Sequence, residues 1–129
     1  MKIENKIIKT TLENWKDLVP FQPKDFKIAT SDSIEKLVKS FKQNGKINAF
    51  MVWENNGKLL IIDGHTTQEV LLVLEKEGYD IPDKLTCNWL GLKDEQEAVK
   101  AVLIYNSHYK DVNENSLSSW IKVYTEVLP

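Results

Sequence analysis

The sequence contains no arginine, and all seventeen of its basic residues are lysine. Arginine is the preferred bidentate ligand for phosphate groups and for guanine, so the strongest side-chain contact to either is missing. The net charge of −2 provides no overall field to attract nucleic acid. The charge is uneven, because residues 1–64 carry eleven Lys against eight Asp and Glu (+3), and residues 65–129 carry six against eleven (−5). The composition therefore excludes a strongly basic nucleic-acid-binding protein.

Cysteine and long apolar runs are also scarce. The single Cys87 excludes an internal disulfide, which is typical of a protein in the reducing cytoplasm. No apolar stretch reaches the roughly 18–20 residues of a membrane span, and residues 1–6 lack the apolar core of a signal peptide. No CxxC, HxH or HExxH spacing occurs, so no metal site is predicted. At 129 residues we expect one domain, located in the cytoplasm and away from membranes.

Four lysines follow one another at helical spacing, namely Lys36, Lys39, Lys42 and Lys46. Such a stripe can attract an anionic partner, but a run of charge on a helix usually marks the face that water covers. We therefore interpret these lysines as a solvated helix face.

Periodic apolar residues predict an α+β fold, a small mixed sheet with helices packed against it. We expect strands and helices mixed along the chain, with a hairpin turn at residues 55–57 (NNG). In chain order the expected elements are an edge strand or loose arm over 1–14, a strand over 15–19, a helix over 32–44, strands over 49–53 and 59–63, a helix over 65–78, a turn over 81–83, a strand over 85–90, a helix from 94, and a last helix over about 116–128.

Two of the expected helices begin with a capping-box spacing, an acidic residue followed three positions later by glutamate. Asp32 and Glu35 form the first such pair, with Gly45 ending the helix, and Asp94 and Glu97 form the second. The buried stripes follow from the same periodicity. They are Ile34, Leu37, Val38 and Phe41; Val70, Leu71, Val73 and Leu74; Cys87 and Trp89 on one strand face; and Ala98, Val99, Val102 and Leu103.

The segment over residues 59–69 carries the main functional signal. An apolar strand ends at Asp63-Gly64-His65, and a helix begins at once. A strand that enters a helix through a glycine leaves backbone N–H groups unpaired at the helix start, where the helix dipole also favours an anion such as phosphate. The alternative is an ordinary strand–turn–helix in which Gly64 serves only for its backbone freedom.

Residues 63–65 (DGH) resemble the second sequence box of the ParB/sulfiredoxin superfamily, which reads roughly G-[EH]-R-R before a helix in partition proteins. Two further stretches occur in the family's order. Residues 20–26 (PFQPKDF) resemble the first box, P-Y-Q-P-R-x-x-F, and residues 105–113 (YNSHYKDVN) resemble the third, E-N-x-Q-R-x-x-L-N. Residues 45–52 (GKINAFMV) are similar to the family's G-x-x-x-P-[IL]-x-V. The resemblance covers about 15–113 and is closest to ParB-like domains of phages and mobile elements.

The resemblance implies a ParB/sulfiredoxin-like fold in which the boxes hold a nucleoside triphosphate, with Mg²⁺ as a companion ion. Gln22 would lie near the nucleotide, and Asn106 would occupy the amide position of the third box. The phosphate- or nucleotide-binding residues implied in this way are Gln22, Gly64, His65, Thr66, Thr67, Asn106 and Ser107.

Several family positions are changed in this sequence. Thr66 and Thr67 replace the two arginines, and Tyr105 replaces the glutamate of the third box. Because charge-assisted hydrogen bonds are roughly twice as strong as neutral ones, we expect weaker binding of a triphosphate. Cys87 does not lie in the glycine turn, where sulfiredoxins carry their cysteine, so sulfiredoxin activity is not expected.

No residue is assigned a catalytic role, although His65, His108 and Asp63 are candidates. Two histidines at a phosphate site can act as acid and base near neutral pH. The alternative is structural, with His65 capping a turn and His108 bonded to backbone, and with Asp63 capping the strand–helix turn instead of binding a metal.

We therefore expect a ParB-like nucleotide- or phosphate-binding module, associated with nucleic acid or a DNA-processing protein and catalytically degenerate. The alternatives are an enzyme of the same fold (an NTPase, kinase or nuclease) and a pure protein-interaction module. The last helix bears one apolar stripe, Leu117, Trp120, Ile121, Tyr124 and Leu128, which predicts either packing on the domain or a homodimer.

Overall fold

Five strands form one mixed sheet in a computed structural model of the chain. The structure describes residues 2–21, 31–46 and 48–106, and for residues 105 and 106 it describes the backbone only. The elements are β1 (Ile7–Asn14), a 3-10 turn (Trp15–Asp17), β2 (Val19–Pro20), α1 (Ser31–Asn44), β3 (Phe50–Asn55), β4 (Lys58–Asp63), α2 (His65–Lys76), β5 (Lys84–Leu90) and α3 (Glu95–Asn106). The sheet order is β1-β5-β3-β4-β2. The pairs β1/β5 and β3/β4 are antiparallel, and β5/β3 and β4/β2 are parallel.

Apolar residues lie on both faces of the central strands, because side chains alternate along a strand and helices cover both sides. Phe50 and Val52 of β3 face α1 and α2, whereas Trp53 faces α3. The first face carries the buried cluster Trp15, Leu18, Phe50, Val52, Ile61, Leu71 and Cys87. The second carries Trp53, Ile62, Leu90, Ala98, Val99 and Val102. The predicted α+β class with a mixed sheet is confirmed.

The hairpin between β3 and β4 has the predicted turn. Asn56 and Gly57 have φ values of 54° and 78°, and a two-residue hairpin turn of this kind requires positive φ at both positions. Gly45 ends α1 as expected, since its φ is 75° and its N–H donates to the Phe41 carbonyl at 3.0 Å.

The second capping pair is also confirmed. The Glu97 N–H donates to Asp94 Oδ1 at 2.9 Å, and the Lys93 N–H donates to the Glu97 carboxylate at 2.7 Å. Asp32, in contrast, lies inside the first turn of α1 instead of preceding it. Val73 is 51% exposed, so it does not belong to the buried stripe of α2.

The strand predicted over residues 15–19 is wrong. Residues Trp15–Asp17 form a 3-10 turn, because the Asn14 side chain accepts the Lys16 N–H at 3.0 Å and closes the chain locally. Only Val19–Pro20 is strand, paired with β4. Of the two alternatives for residues 1–14, an edge strand or a loose arm, the structure has the edge strand, β1. The last predicted helix, over 116–128, lies outside the described residues.

Candidate functional site

The strand–helix turn is built around Gly64, which lies between β4 and α2 with φ 126° and ψ 11°. L-amino acids with side chains rarely adopt this φ. A Cβ atom on Gly64 would also lie 2.4 Å from Phe50 Cδ1, inside any possible contact distance. Both the backbone conformation and the nearby Phe50 side chain therefore require glycine at position 64, where the chain turns directly beside the Phe50 ring.

The start of α2 has no side-chain cap among the described residues, and no acidic residue lies in its first turn. The first hydrogen bond of the helix runs from the Gln68 N–H to the Gly64 carbonyl at 2.9 Å. The N–H groups of His65, Thr66 and Thr67 precede it, at the positive end of the helix dipole. Thr66 and Thr67 are half-buried beside these groups. This arrangement suits an anion.

The His65 ring is held in a structural hydrogen bond. Its Nε2 accepts the Phe21 N–H at 3.0 Å, and the side chain is 5% exposed. Burial lowers the pKa of His65 from 6.5 to about 4, so the ring is neutral at pH 7. Because Nε2 is engaged as an acceptor, this geometry favours the structural interpretation of His65; a catalytic role stays a prediction.

Gln68 is a residue of the site region that the sequence analysis missed. Its Nε2 donates to the carbonyls of Trp15 and Leu18 at 3.0 and 2.9 Å, and the residue is 8% exposed. His65 and Gln68 lie three positions apart, hence on one face of α2. Together they fix residues 15–21, the segment that leads into the first box. The sequence did contain a signal for this role, namely a polar residue on the same helix face as His65 and Leu71.

Asp63 ends β4 at the edge of the turn, where it is half-buried. Burial raises the pKa of its carboxyl group, and a hydrogen bond from the Gly64 backbone partly offsets this. In the described part of the chain, no three His, Cys, Asp or Glu side chains lie close enough together to hold a metal ion. A metal at the turn would therefore depend on oxygen atoms from a ligand.

The predictions for Cys87 and for the four lysines of the predicted helix face can be compared with the surroundings of those residues in the structure. Cys87 is fully buried and burial raises the pKa of its thiol to about 11, so it is the small core residue that we expected. Lys36, Lys39 and Lys42 are exposed, as a solvated face requires. Lys46 departs from that prediction: it is half-buried, with Nζ 4.6 Å from the Phe50 ring centroid, and it donates to the Asn48 carbonyl.

The structure brings together Asp63, Gly64, His65, Thr66 and Thr67 at the turn. Phe21 is bonded to His65, so the first box begins beside the second. Other site residues are not placed: Gln22, Ser107 and His108 lie outside the described residues, and Asn106 ends α3 without a described side chain.

No protein-family model matches the sequence, and no curated protein matches it. Solved structures do. A Pnob8-like ParB-N domain matches with a TM-score of 0.61 and 16% identity over 92% of this chain and 45% of that one. A C-terminally truncated chromosome-partitioning protein ParB from Caulobacter crescentus, complexed with CTP-γ-S, matches with a TM-score of 0.58 and 16% identity over 92% of this chain and 63% of that one.

The chain therefore spans less than two thirds of either solved structure that it matches. No helix in the described ranges is long and apolar enough to cross a membrane. The five strands and three helices of the described ranges, together with these two matches, lead to one conclusion: the fold is that of a ParB-like N-terminal domain.

Proposed function

We propose that this chain is a nucleotide- or phosphate-binding module that binds the anionic group at the start of α2. The observation that carries the proposal is the uncapped helix start behind Gly64, with backbone N–H groups there and Thr66 and Thr67 in the first turn of the helix. The similar Caulobacter crescentus structure is complexed with CTP-γ-S, which supports a nucleoside triphosphate as the ligand class.

The bond between Phe21 and His65 supports a site made from more than one box. The Phe21 N–H lies 3.0 Å from the His65 ring nitrogen, so the residue before Gln22 is beside the turn. We propose that Gln22, Asn106 and Ser107 complete the site with neutral hydrogen bonds. Mg²⁺ would bind through phosphate oxygens with help from the half-buried Asp63 carboxylate, because no three metal-ligating side chains lie close together among the described residues.

The residues present favour binding over catalysis. Thr66 and Thr67 offer neutral donors where arginines would stabilise developing charge, and Tyr105 is not a carboxylate. His65 is neutral and hydrogen-bonded through Nε2. We therefore propose a catalytically degenerate member of the phage and mobile-element type, acting in the cytoplasm beside nucleic acid or a DNA-processing protein.

The test is calorimetric titration of the full chain with CTP, ATP, GTP and inorganic phosphate, each with and without Mg²⁺. Thr66→Asp is the decisive variant, since an acid in the first turn stabilises the helix by about 0.3–1 kcal/mol yet repels an anion. We expect Thr66→Asp to abolish binding while the protein unfolds at the same or a higher temperature.

Ser31→Asp is the matched control, because it introduces the same charge at the first residue of α1. It should leave the affinity unchanged. If none of the four ligands binds, or if Thr66→Asp binds as tightly as the parent chain, the proposal is wrong. Robust hydrolysis of CTP or ATP that disappears in His65→Ala would favour the enzyme alternative instead.

A further inference from the structure

A groove of about 490 Å³ lies between α3, the end of β5 and the residues that precede β1. Its apolar lining residues are Leu90, Leu92, Ala101 and Ile104, and its charged lining residues are Lys6, Glu97 and Lys100. An apolar cavity of about 150 Å³ is large enough to bind benzene, so this groove has room for several bulky side chains. No described residue of the Gly64 turn lines the groove, which is therefore separate from the proposed anion site.

The helix α3 lines the groove with one of its faces. Its four lining residues follow i, i+3, i+4, i+7 spacing, namely Glu97, Lys100, Ala101 and Ile104. A different set packs on the sheet, namely Ala98, Val99 and Val102. The small side chain of Ala101 leaves space above it, and Ile104 is 51% exposed. The helix therefore has a second face with an apolar centre, besides the one on the sheet.

The chain itself contains a segment that suits this face. The predicted helix over about 116–128 carries one apolar stripe, Leu117, Trp120, Ile121, Tyr124 and Leu128. Its two charged residues, Lys122 and Glu126, fall at about 140° and 180° from Leu117 when each residue turns the helix by about 100°. Both charges are thus opposite the stripe, so the stripe can enter an apolar groove without burying a charge.

The connection between α3 and the predicted helix is long enough for the chain to reverse. Residues 107–115 span at most roughly 30 Å, whereas the groove face of α3 from Glu97 to Ile104 is about 10 Å long. Helices joined by a short connection pack side by side and antiparallel. In that arrangement Leu117 lies level with Ile104, and Trp120 lies level with Ala101.

The stripe and the groove also match in polarity. Trp120 and Tyr124 each combine a large apolar ring with one hydrogen-bonding group, which suits a site that is apolar inside and wet at its rim. The groove has this character, because Lys6 and Lys100 are exposed beside its apolar lining. A short tether holds the segment at an effective concentration of about millimolar, so a second copy competes poorly for the same groove.

We propose that this groove is the docking surface for the chain's own residues 116–128, which return antiparallel along α3 and place Trp120 over Ala101. The domain then covers its second α3 face within one molecule, and the apolar stripe at the end of the sequence is not a dimer contact.

The first experiment measures amide hydrogen exchange of the full chain by mass spectrometry, at a concentration where sedimentation equilibrium gives the monomer mass. We expect residues 117–128 to be protected, and Ile104→Lys and Ala101→Lys each to lower that protection at least about tenfold, because a buried apolar contact is lost. Leu72→Lys is the matched control, since Leu72 is an apolar residue of α2 that is 42% exposed and lies outside the groove. It should leave the protection unchanged.

The second experiment reads the orientation through a disulfide formed under mild oxidation. Lys100→Cys combined with Ile121→Cys should form a disulfide within one chain, because the two positions lie level in the antiparallel arrangement. Lys76→Cys combined with Ile121→Cys is the control, since Lys76 is an exposed lysine at the end of α2. It should not form one. Cys87 is buried and gives little background.

Three results would overturn the proposal. The first is unprotected exchange in residues 117–128 of the monomer, including protection that appears only with the dimer mass. The second is protection that both groove variants leave intact, and the third is a disulfide that joins two chains instead of one. Exchange in β3 and β4, measured in the same samples, shows whether each variant is folded. Trp120→Lys, which changes the segment and leaves the groove intact, should lower the protection as much as the groove variants do.

Discussion

Gly64 combines two constraints that can be separated by substitution. Gly64→Ala requires a side chain at φ 126° and places its Cβ against Phe50. We expect a loss of about 2–6 kcal/mol in the free energy of unfolding, from backbone strain and from overpacking of about 1–3 kcal/mol each. Urea denaturation followed by fluorescence measures it.

Gly78→Ala provides the matched control, because φ is 97° at Gly78 and a Cβ atom there would meet no other atom within 4 Å. It introduces backbone strain without overpacking, so its loss should be the smaller of the two. Equal losses in the two variants would show that the contact with Phe50 adds nothing.

His65 makes stability depend on pH. Its pKa is about 4 in the folded chain against 6.5 as the ordinary value, so the unfolded chain binds the proton first as the pH falls. Stability contributed by the neutral ring is present above about pH 6.5 and is lost progressively towards about pH 4. The loss should reach about 3 kcal/mol, from 1.36 kcal/mol for each pKa unit.

The comparison is His65→Gln, whose amide oxygen can accept the Phe21 N–H but does not titrate. Urea unfolding at several pH values between about 4 and 7 should give a shallower decline for this variant. Carboxyl groups such as Asp63 titrate in both proteins, so the difference reports His65. Parallel curves for the two proteins would exclude a buried neutral histidine.

At the scale of elements, side chains of α2 hold residues 15–21 in place, a segment that lies about fifty residues earlier in the chain. Gln68 bonds to Trp15 and Leu18, His65 bonds to Phe21, and Lys16 Nζ lies 2.7 Å from Glu75 Oε2 at the surface. The surface pair contributes little. The buried bonds matter more, because a carbonyl left without a partner costs the full desolvation of that group.

Gln68→Ala should therefore lower the free energy of unfolding by about 1–3 kcal/mol, since two carbonyl groups lose their donor. It should also speed hydrogen exchange in residues 15–21. Glu69→Ala is the control, one position along α2 and exposed, and should change neither. Unchanged exchange in Gln68→Ala would show that packing of Trp15 alone fixes the segment.

Elements with a strong local pattern were predictable from the sequence. The apolar runs of β3 and β4, the turn at Asn56-Gly57 and the cap at Asp94 each depend on residues close together in the chain. The turn over Trp15–Asp17 was missed because a single side chain, that of Asn14, outweighs the apolar pattern there.

The candidate site was predictable only in part. The glycine turn at residue 64 follows from local sequence, but its contact with Phe50 and the bonds of His65 and Gln68 join residues 14 to 53 positions apart. No local period encodes such pairs. Lys46 shows the same limit, because its helical spacing with Lys42 says nothing of the Phe50 ring beneath it.

At the scale of the whole molecule, the sheet order pairs strands that lie far apart in the chain, although β3 and β4 are neighbours in both. β1 pairs with β5, and Ile7 lies opposite Leu90. Contacts between residues so far apart in the chain close large loops and slow folding.

This pairing also determines the order in which the strands can pair during synthesis. During synthesis the N-terminal residues of a protein leave the ribosome first. β1 must then wait until residues 84–90 have been made before its partner exists. β3 and β4, joined by their two-residue turn, can pair as soon as residue 63 has emerged. β1 is thus made before β3 and β4 but joins the sheet after them, and until then the nascent chain carries the apolar side chains of Ile8 and Leu12 on an unpaired strand.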